Sequence, residues 1–155
     1  MRKTDQPQPS ALEAHVGFWL RFVSNHVSSR FQQLLEARNC SVTEWVALRV
    51  LYDRREASHA ELIQALGMTK GAVSKVVSRL ESVGLATRKA TGQDGREQVV
   101  ALTKKGMALV PRLAALADEN DTHFFGHLGA HGREALVNAL QGLVTYHELH
   151  SPPVT

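Results

Sequence analysis

The chain has 155 residues, 43% hydrophobic and 21% charged, an ordinary globular composition for one domain or one domain with an added oligomerisation element. No run reaches the roughly 18–20 apolar residues of a membrane span. The polar start MRKTDQPQPS lacks the apolar stretch of a secretory signal, and a lone Cys40 excludes an internal disulfide framework, so a soluble cytoplasmic protein is expected. The net charge of +3 is mild but unevenly placed: residues 67–105 hold eight cations against three acids, +5 in all, which leaves −2 elsewhere. A basic middle between slightly acidic ends is the footprint of a polyanion-binding module.

Residues 1–10 read as a disordered arm. Leu12, Val16, Trp19, Leu20, Val23, Val27, Phe31, Leu34 and Leu35 then step at three and four, marking a long amphipathic helix over 11–38. The next helix opens with Ser41 and Glu44 at the spacing of a capping box. Cys40 and Trp45 occupy the two positions of a hydrophobic staple, which gives the cysteine a structural rather than a redox role. Ser58 and Glu61 repeat the box, and Gly67 suits the end of that short helix. Another helix follows at once, with Thr69 as its N-cap, so the pair reads as a helix-turn-helix.

In that second helix the apolar set Val73, Val76, Val77, Leu80 and Val83 falls on one face. The other face carries Gly71, Ser74, Lys75, Ser78 and Ser82, with Arg79 on its flank and Lys70 in the first turn. An ordinary solvent face would carry long Glu and Lys side chains in i,i+4 pairs. Small hydroxyl residues instead keep the helix slim enough for a major groove about 12 Å wide. The Thr69 end also offers free backbone N–H groups and a positive dipole to phosphate.

After Gly84 the period changes. LATRKA and EQVVAL read as two strands enclosing the turn-rich TGQDGR. Helical patterning resumes from Thr103 to about Gly126, where Pro111 should kink the helix or remove one hydrogen bond. A last helix is expected over 130–150, with Leu136, Leu140, Leu143 and Val144 on one face, and 151–155 as a frayed tail. His123 with His127 and His147 with His150 are spaced to share a helix face, yet no cysteine completes a metal set, and no cofactor is expected. No phosphate loop, nucleophile elbow or convergent carboxylate pair is present, so the chain is not read as an enzyme.

The segments LIQALGMTKGAVSKVVSRLESVGLATR (62–88) and DGREQVVALTKKG (94–106) carry a helix-turn-helix and a two-stranded wing. With long helices on either side, this plan resembles the MarR family of bacterial winged-helix transcription regulators. Its most specific elements here are D-x-R and L-T-x-x-G, namely Asp94, Arg96, Leu102, Thr103 and Gly106. One departure is Cys40-Ser41, where members often show Leu-Thr.

The resemblance implies a mainly α fold with a small β-hairpin wing. A winged helix-turn-helix at 41–102 would be framed by a helical dimerisation region at 11–38 and 103–150. It further implies a homodimeric repressor on a pseudo-palindromic operator of double-stranded DNA. Thr69, Lys70, Gly71, Ala72, Ser74, Lys75, Ser78 and Arg79 would face the major groove. Arg96 would enter the minor groove, its guanidinium held by Asp94. Members are commonly released from DNA by small aromatic or phenolic acids bound where the dimer helices meet the DNA lobe. His15, Trp19, Trp45 and Arg49 combine aromatic walls with groups able to meet a carboxylate there. The competing readings are a metal- or redox-responsive regulator of the same fold and a dimerisation protein that does not bind DNA.

Overall fold

A computed structural model of the chain describes residues 8–92 and 97–150. Residues 1–7 of the expected arm, the tail 151–155, and the wing tip with Asp94 and Arg96 lie outside the described residues. The chain runs α1 (Val16–Glu36), α2 (Val42–Arg54), β1 (Glu56–Ser58), α3 (His59–Leu66), α4 (Lys70–Ser82), β2 (Ala86–Thr91), β3 (Glu97–Leu102), α5 (Lys104–Phe125) and α6 (Gly129–Tyr146).

The two expected capping boxes form. Ser41 Oγ accepts from the Glu44 backbone N–H at 3.1 Å, while the Glu44 carboxylate accepts from the Ser41 N–H at 2.7 Å. Ser58 and Glu61 repeat the exchange at 3.2 and 2.7 Å. Those bonds from Ser58 hold the Glu61 carboxyl below its usual range. Gly67 adopts the left-handed conformation (φ 61°) that ends α3 and lets α4 start three residues later, behind its Thr69 cap. α1 ends in the same manner, with Asn39 at φ 55° and the Cys40 N–H returning to the Leu35 carbonyl at 3.1 Å.

Three expectations need correction. The first helix starts at Val16, because His15 takes an extended backbone (φ −96°, ψ 125°) after a single 3-10 turn at Leu12–Ala14. The last helix stops at Tyr146, closed by the Leu149 N–H on the Val144 carbonyl at 3.0 Å with Glu148 at φ 50°. The wing is not a bare hairpin: β1 joins it as a third antiparallel strand in the order β1-β3-β2. Three residues, Glu-Ala-Ser, carry no readable period. What makes them a strand is tertiary, since Ala57 is buried opposite Val100 of β3.

The core lies in the helix-turn-helix lobe and its junction with α5. Leu48 and Leu51 of α2, Leu62 of α3, Val73, Val77 and Leu80 of α4, and Val110 and Leu113 of α5 are all essentially inaccessible. α1 meets α5 across a polar contact: buried Asn120 donates to the Val27 carbonyl (3.1 Å) and accepts from Arg30 (3.1 Å), whose guanidinium also pairs with Glu119 (2.9 Å). Pro111 lies within α5 and denies it one backbone donor. No helix among the described residues is long and apolar enough to cross a membrane.

The L-T-x-x-G element proves to be a joint. Thr103 caps α5 by accepting from the Gly106 N–H (3.1 Å) and donates its hydroxyl to the Gly84 carbonyl (2.6 Å). Its backbone N–H donates to the Leu85 carbonyl at 3.0 Å. A Cβ on Gly106 would lie 2.1 Å from that same Leu85 oxygen, so only glycine fits. Gly106→Ala is therefore expected to destabilise the fold by about 1–3 kcal/mol or more, because a backbone atom must move. Urea denaturation checks this, and a loss below about 0.5 kcal/mol would show that the joint yields freely.

Candidate nucleic-acid interface

Helix α4 is anchored by Val73, Val77 and Leu80, each no more than 1% exposed. That anchoring turns Thr69, Lys70, Gly71, Lys75, Ser78 and Arg79 to the surface, with Ala72 and Ser74 half-buried. Thr69 Oγ1 accepts from the Ala72 N–H at 3.3 Å, so its hydroxyl hydrogen remains to be donated outward. Nothing lies within 4 Å of where a Cβ on Gly71 would sit. The fold itself does not require glycine there, although glycine is a poor helix former. The small residue leaves the helix surface open to close approach.

Several of the expected contact residues have partners within the protein. Ser74 Oγ lies 3.1 Å from His59 Nε2, which also sits 3.5 Å from the Lys70 carbonyl. Arg79 turns toward α2, its Nε 3.5 Å from Glu44 Oε1. The structure adds residues that the sequence pattern did not single out. Arg88 of β2 pairs with the Glu81 carboxylate and reaches Ser78 Oγ at 3.5 Å. With His59, Lys70, Ser74, Gln98 and Val100 it lines a cleft of about 250 Å³ between α4 and the wing sheet. Their joining depends on strand register across the lobe, for which no local periodicity exists.

The residues expected to form an effector site fall into two local groups. His15 Nδ1 sits 3.1 Å from the Ala11 carbonyl, and Trp19 donates to the Glu13 carbonyl (2.9 Å) within a cluster with Phe18 and Phe22. On α2, Trp45 meets Phe31 edge-on with ring centroids 6.2 Å apart, and Arg49 pairs with Asp53 (3.3 Å) and lies over Tyr52. Among the described residues no group of three or more His, Cys, Asp or Glu is placed to hold a metal ion. Burial, and then Glu44, push the Cys40 thiol up to about 11, away from the reactive thiolate that redox sensing needs.

A helix-turn-helix braced by a small antiparallel sheet, with a slim cationic helix outermost, defines a winged-helix DNA-binding protein. Comparison with known proteins takes this further. Residues 40–97 match the model of the MarR family. The transcriptional regulator HosA of Escherichia coli O157:H7 is 25% identical over 125 residues, 81% of this chain and 91% of its own. The HTH-type transcriptional repressor NicR of Pseudomonas putida is 27% identical over 136 residues, covering 88% and 86%. Among solved structures, BpsR of Bordetella bronchiseptica, described as regulated in DNA binding by 6-hydroxynicotinic acid, superposes with a TM-score of 0.72 at 27% identity, covering 88% of this chain and 99% of its own. MarR of E. coli shares the fold, with a TM-score of 0.74 at 20% identity over 84% of this chain and 96% of its own. Residues 40–97 thus resemble the MarR family, and the chain is a DNA-binding transcriptional regulator of MarR type rather than an enzyme.

Two predictions follow from this geometry. Gly71→Ala should leave the fold as stable or raise its stability by up to about 1 kcal/mol, while weakening DNA binding. Thermal melting and fluorescence anisotropy read the two effects separately, and unchanged DNA affinity would remove this part of α4 from the contact. For Cys40, the ordinary thiol pKa of 9.0 rises to about 11, so alkylation at pH 8 should run about a hundredfold slower than for a free thiol. Because the folded value lies above the unfolded one, the associated stability is complete below pH 9.0 and is lost as pH rises through about 11. A Cys40→Ala control in alkaline denaturation isolates that contribution.

Proposed function

We propose that the protein is a homodimeric repressor bound to a pseudo-palindromic operator and released by a small aromatic carboxylic acid. The observation that carries the dimer is α6: none of its residues is buried within one chain, and Val137, Leu140, Leu143 and Val144 are exposed. On α1, Val16, Trp19, Leu20, Phe22 and Val23 are exposed as well. Apolar surface on this scale at the two terminal helices is what a second copy would cover, as a helical dimerisation region made from 11–38 and 103–150.

In the dimer each α4 enters a major groove, with half-sites about 10 bp apart. Thr69, Lys70, Gly71, Ala72, Ser74, Lys75, Ser78 and Arg79 form the contact face. Arg96 reaches a narrow minor groove, where negative potential attracts a guanidinium, and Asp94 aims it. The effector class is drawn from BpsR, described as regulated by 6-hydroxynicotinic acid, and from the resemblance stated above. His15, Trp19, Trp45 and Arg49 are the residues assigned to it, brought together where the helices of two chains meet the DNA lobe.

Selection of bound sequences from random DNA should return inverted repeats with that spacing, and sedimentation should give a dimer. On the selected site, Lys75→Ala should reduce the slope of log affinity against log salt by about 1, and Arg96→Ala should weaken binding chiefly at A·T-rich flanks. Salt-independent binding or a monomer in solution would overturn the reading. 6-Hydroxynicotinate is the first effector to titrate against the complex.

A further inference from the structure

His59 opens α3 and is the single histidine between residues 41 and 102. Its ring crosses to α4, where Nε2 faces Ser74 Oγ at 3.1 Å and the Lys70 carbonyl at 3.5 Å. Nδ1 has no partner among the described residues. With Lys70, Ser74, Arg88, Gln98 and Val100 this imidazole lines the cleft between α4 and the wing sheet, and no carboxylate is among the lining residues. Arg88 is partly neutralised, since Glu81 accepts from both its backbone N–H (3.1 Å) and its guanidinium. The Lys70 ammonium is unpaired among the described residues, and Gln98 and Val100 bring no charge from β3. On α3 itself Glu61 is committed to the Ser58 N–H at 2.7 Å, with Arg54 of α2 acting on that carboxylate.

A carbonyl only accepts, so the Lys70 oxygen favours a hydrogen on Nε2, and a neutral ring then carries a bare Nδ1. A bare nitrogen repels an anionic oxygen, whereas the imidazolium carries N–H at both positions and a full charge. In that form Nε2 donates to Ser74 Oγ, and the Ser74 hydroxyl hydrogen is left for an oxygen outside the protein. Lys70, the imidazolium, the Ser74 hydroxyl and the Gln98 amide then make an anion seat at the edge of the contact face. An opposite charge within about 4–6 Å favours the charged form of a histidine. We propose that this cleft seats one backbone phosphate of the bound DNA, and that His59 takes a proton from solvent as the phosphate arrives. The inference rests on the reading of α4 as the DNA-contact helix. Operator affinity then rises as pH falls, because the complex holds more protons than its free parts. DNA and the proton raise each other's affinity by the same factor. A phosphate contact carries no sequence information, so the effect has the same size on every operator variant.

The test follows the full-length protein on the DNA site selected from random sequences, by anisotropy from about pH 8 to about pH 6, where histidine side chains change charge. Wild-type affinity should rise about tenfold over that range, by the same factor on the selected site and on a single-mismatch variant. His59→Gln, whose amide can still donate to Ser74 Oγ, should melt as a folded protein and lose the pH dependence. Calorimetry in buffers of different ionisation heat should show proton uptake on binding by the wild type and none by this variant. Gln98→Glu, an exposed change on β3, should weaken binding about tenfold by setting a carboxylate in the seat. A flat wild-type profile, or a His59→Gln profile as steep as the wild type's, would overturn the proton uptake at His59. Unchanged affinity in Gln98→Glu would remove the phosphate from the cleft. Lys75→Ala separates these failures from that of the broader reading. If it weakens binding while His59→Gln keeps the wild-type profile, the present inference alone fails. If Lys75→Ala, His59→Gln and Gln98→Glu all bind as the wild type does, α4 is not the contact helix and both readings fail.

Discussion

Where α5 passes the Leu85 carbonyl, the approach leaves no room for a side chain on Gly106. Four chain segments converge there. The end of α4 arrives with Val83 held by Lys105, the Gly84 carbonyl takes the Thr103 hydroxyl, β2 begins, and α5 departs behind its own cap. Leu85 also accepts from the Thr103 backbone, which pins the return of β3 to the origin of β2. Helix α4, the wing and the long helix leading away from both therefore share one node. A change in the angle of α5 would act on α4 and the wing together, because these bonds tie all three to the same few residues.

The capping chemistry explains why so much of the DNA lobe could be read locally. Ser41, Ser58, Thr69 and Thr103 each close a helix through bonds spanning three residues, and such bonds are visible as spacings in the chain. The apolar face of α4 was legible for the same reason, since its period is set within the helix. The β1 strand was not, because Ala57 becomes a strand residue only through Val100, far along the chain. The His59–Ser74 contact and the reach of Arg88 to Ser78 were hidden in the same way. Arg79 was placed on the correct element, but its turn toward Glu44 depends on how α2 packs.

Helix limits at the two ends of the chain show the opposite failure. A continuous apolar stripe from Leu12 suggested helix from residue 11, yet His15 breaks it, and Leu12 and Val16 stand 68% and 73% exposed. The same holds near Tyr146, where the chain turns at Glu148 although the pattern runs on. Periodicity reports which face is apolar and not where the hydrogen-bond ladder stops. At both ends the stripe outlasts the helix.

The polar contact between α1 and α5 bears on spacing. Apolar stripes alone tolerate sliding by one helical turn, about 5.4 Å, since leucine and valine present similar shapes at each repeat. Asn120 does not tolerate it: its amide meets the Val27 carbonyl and Arg30 at one register, and a slipped pair would bury those groups without partners. A single buried amide thus serves as a ruler for α5. It fixes how far the node at Gly106, and α4 beside it, stands from the far end of the molecule.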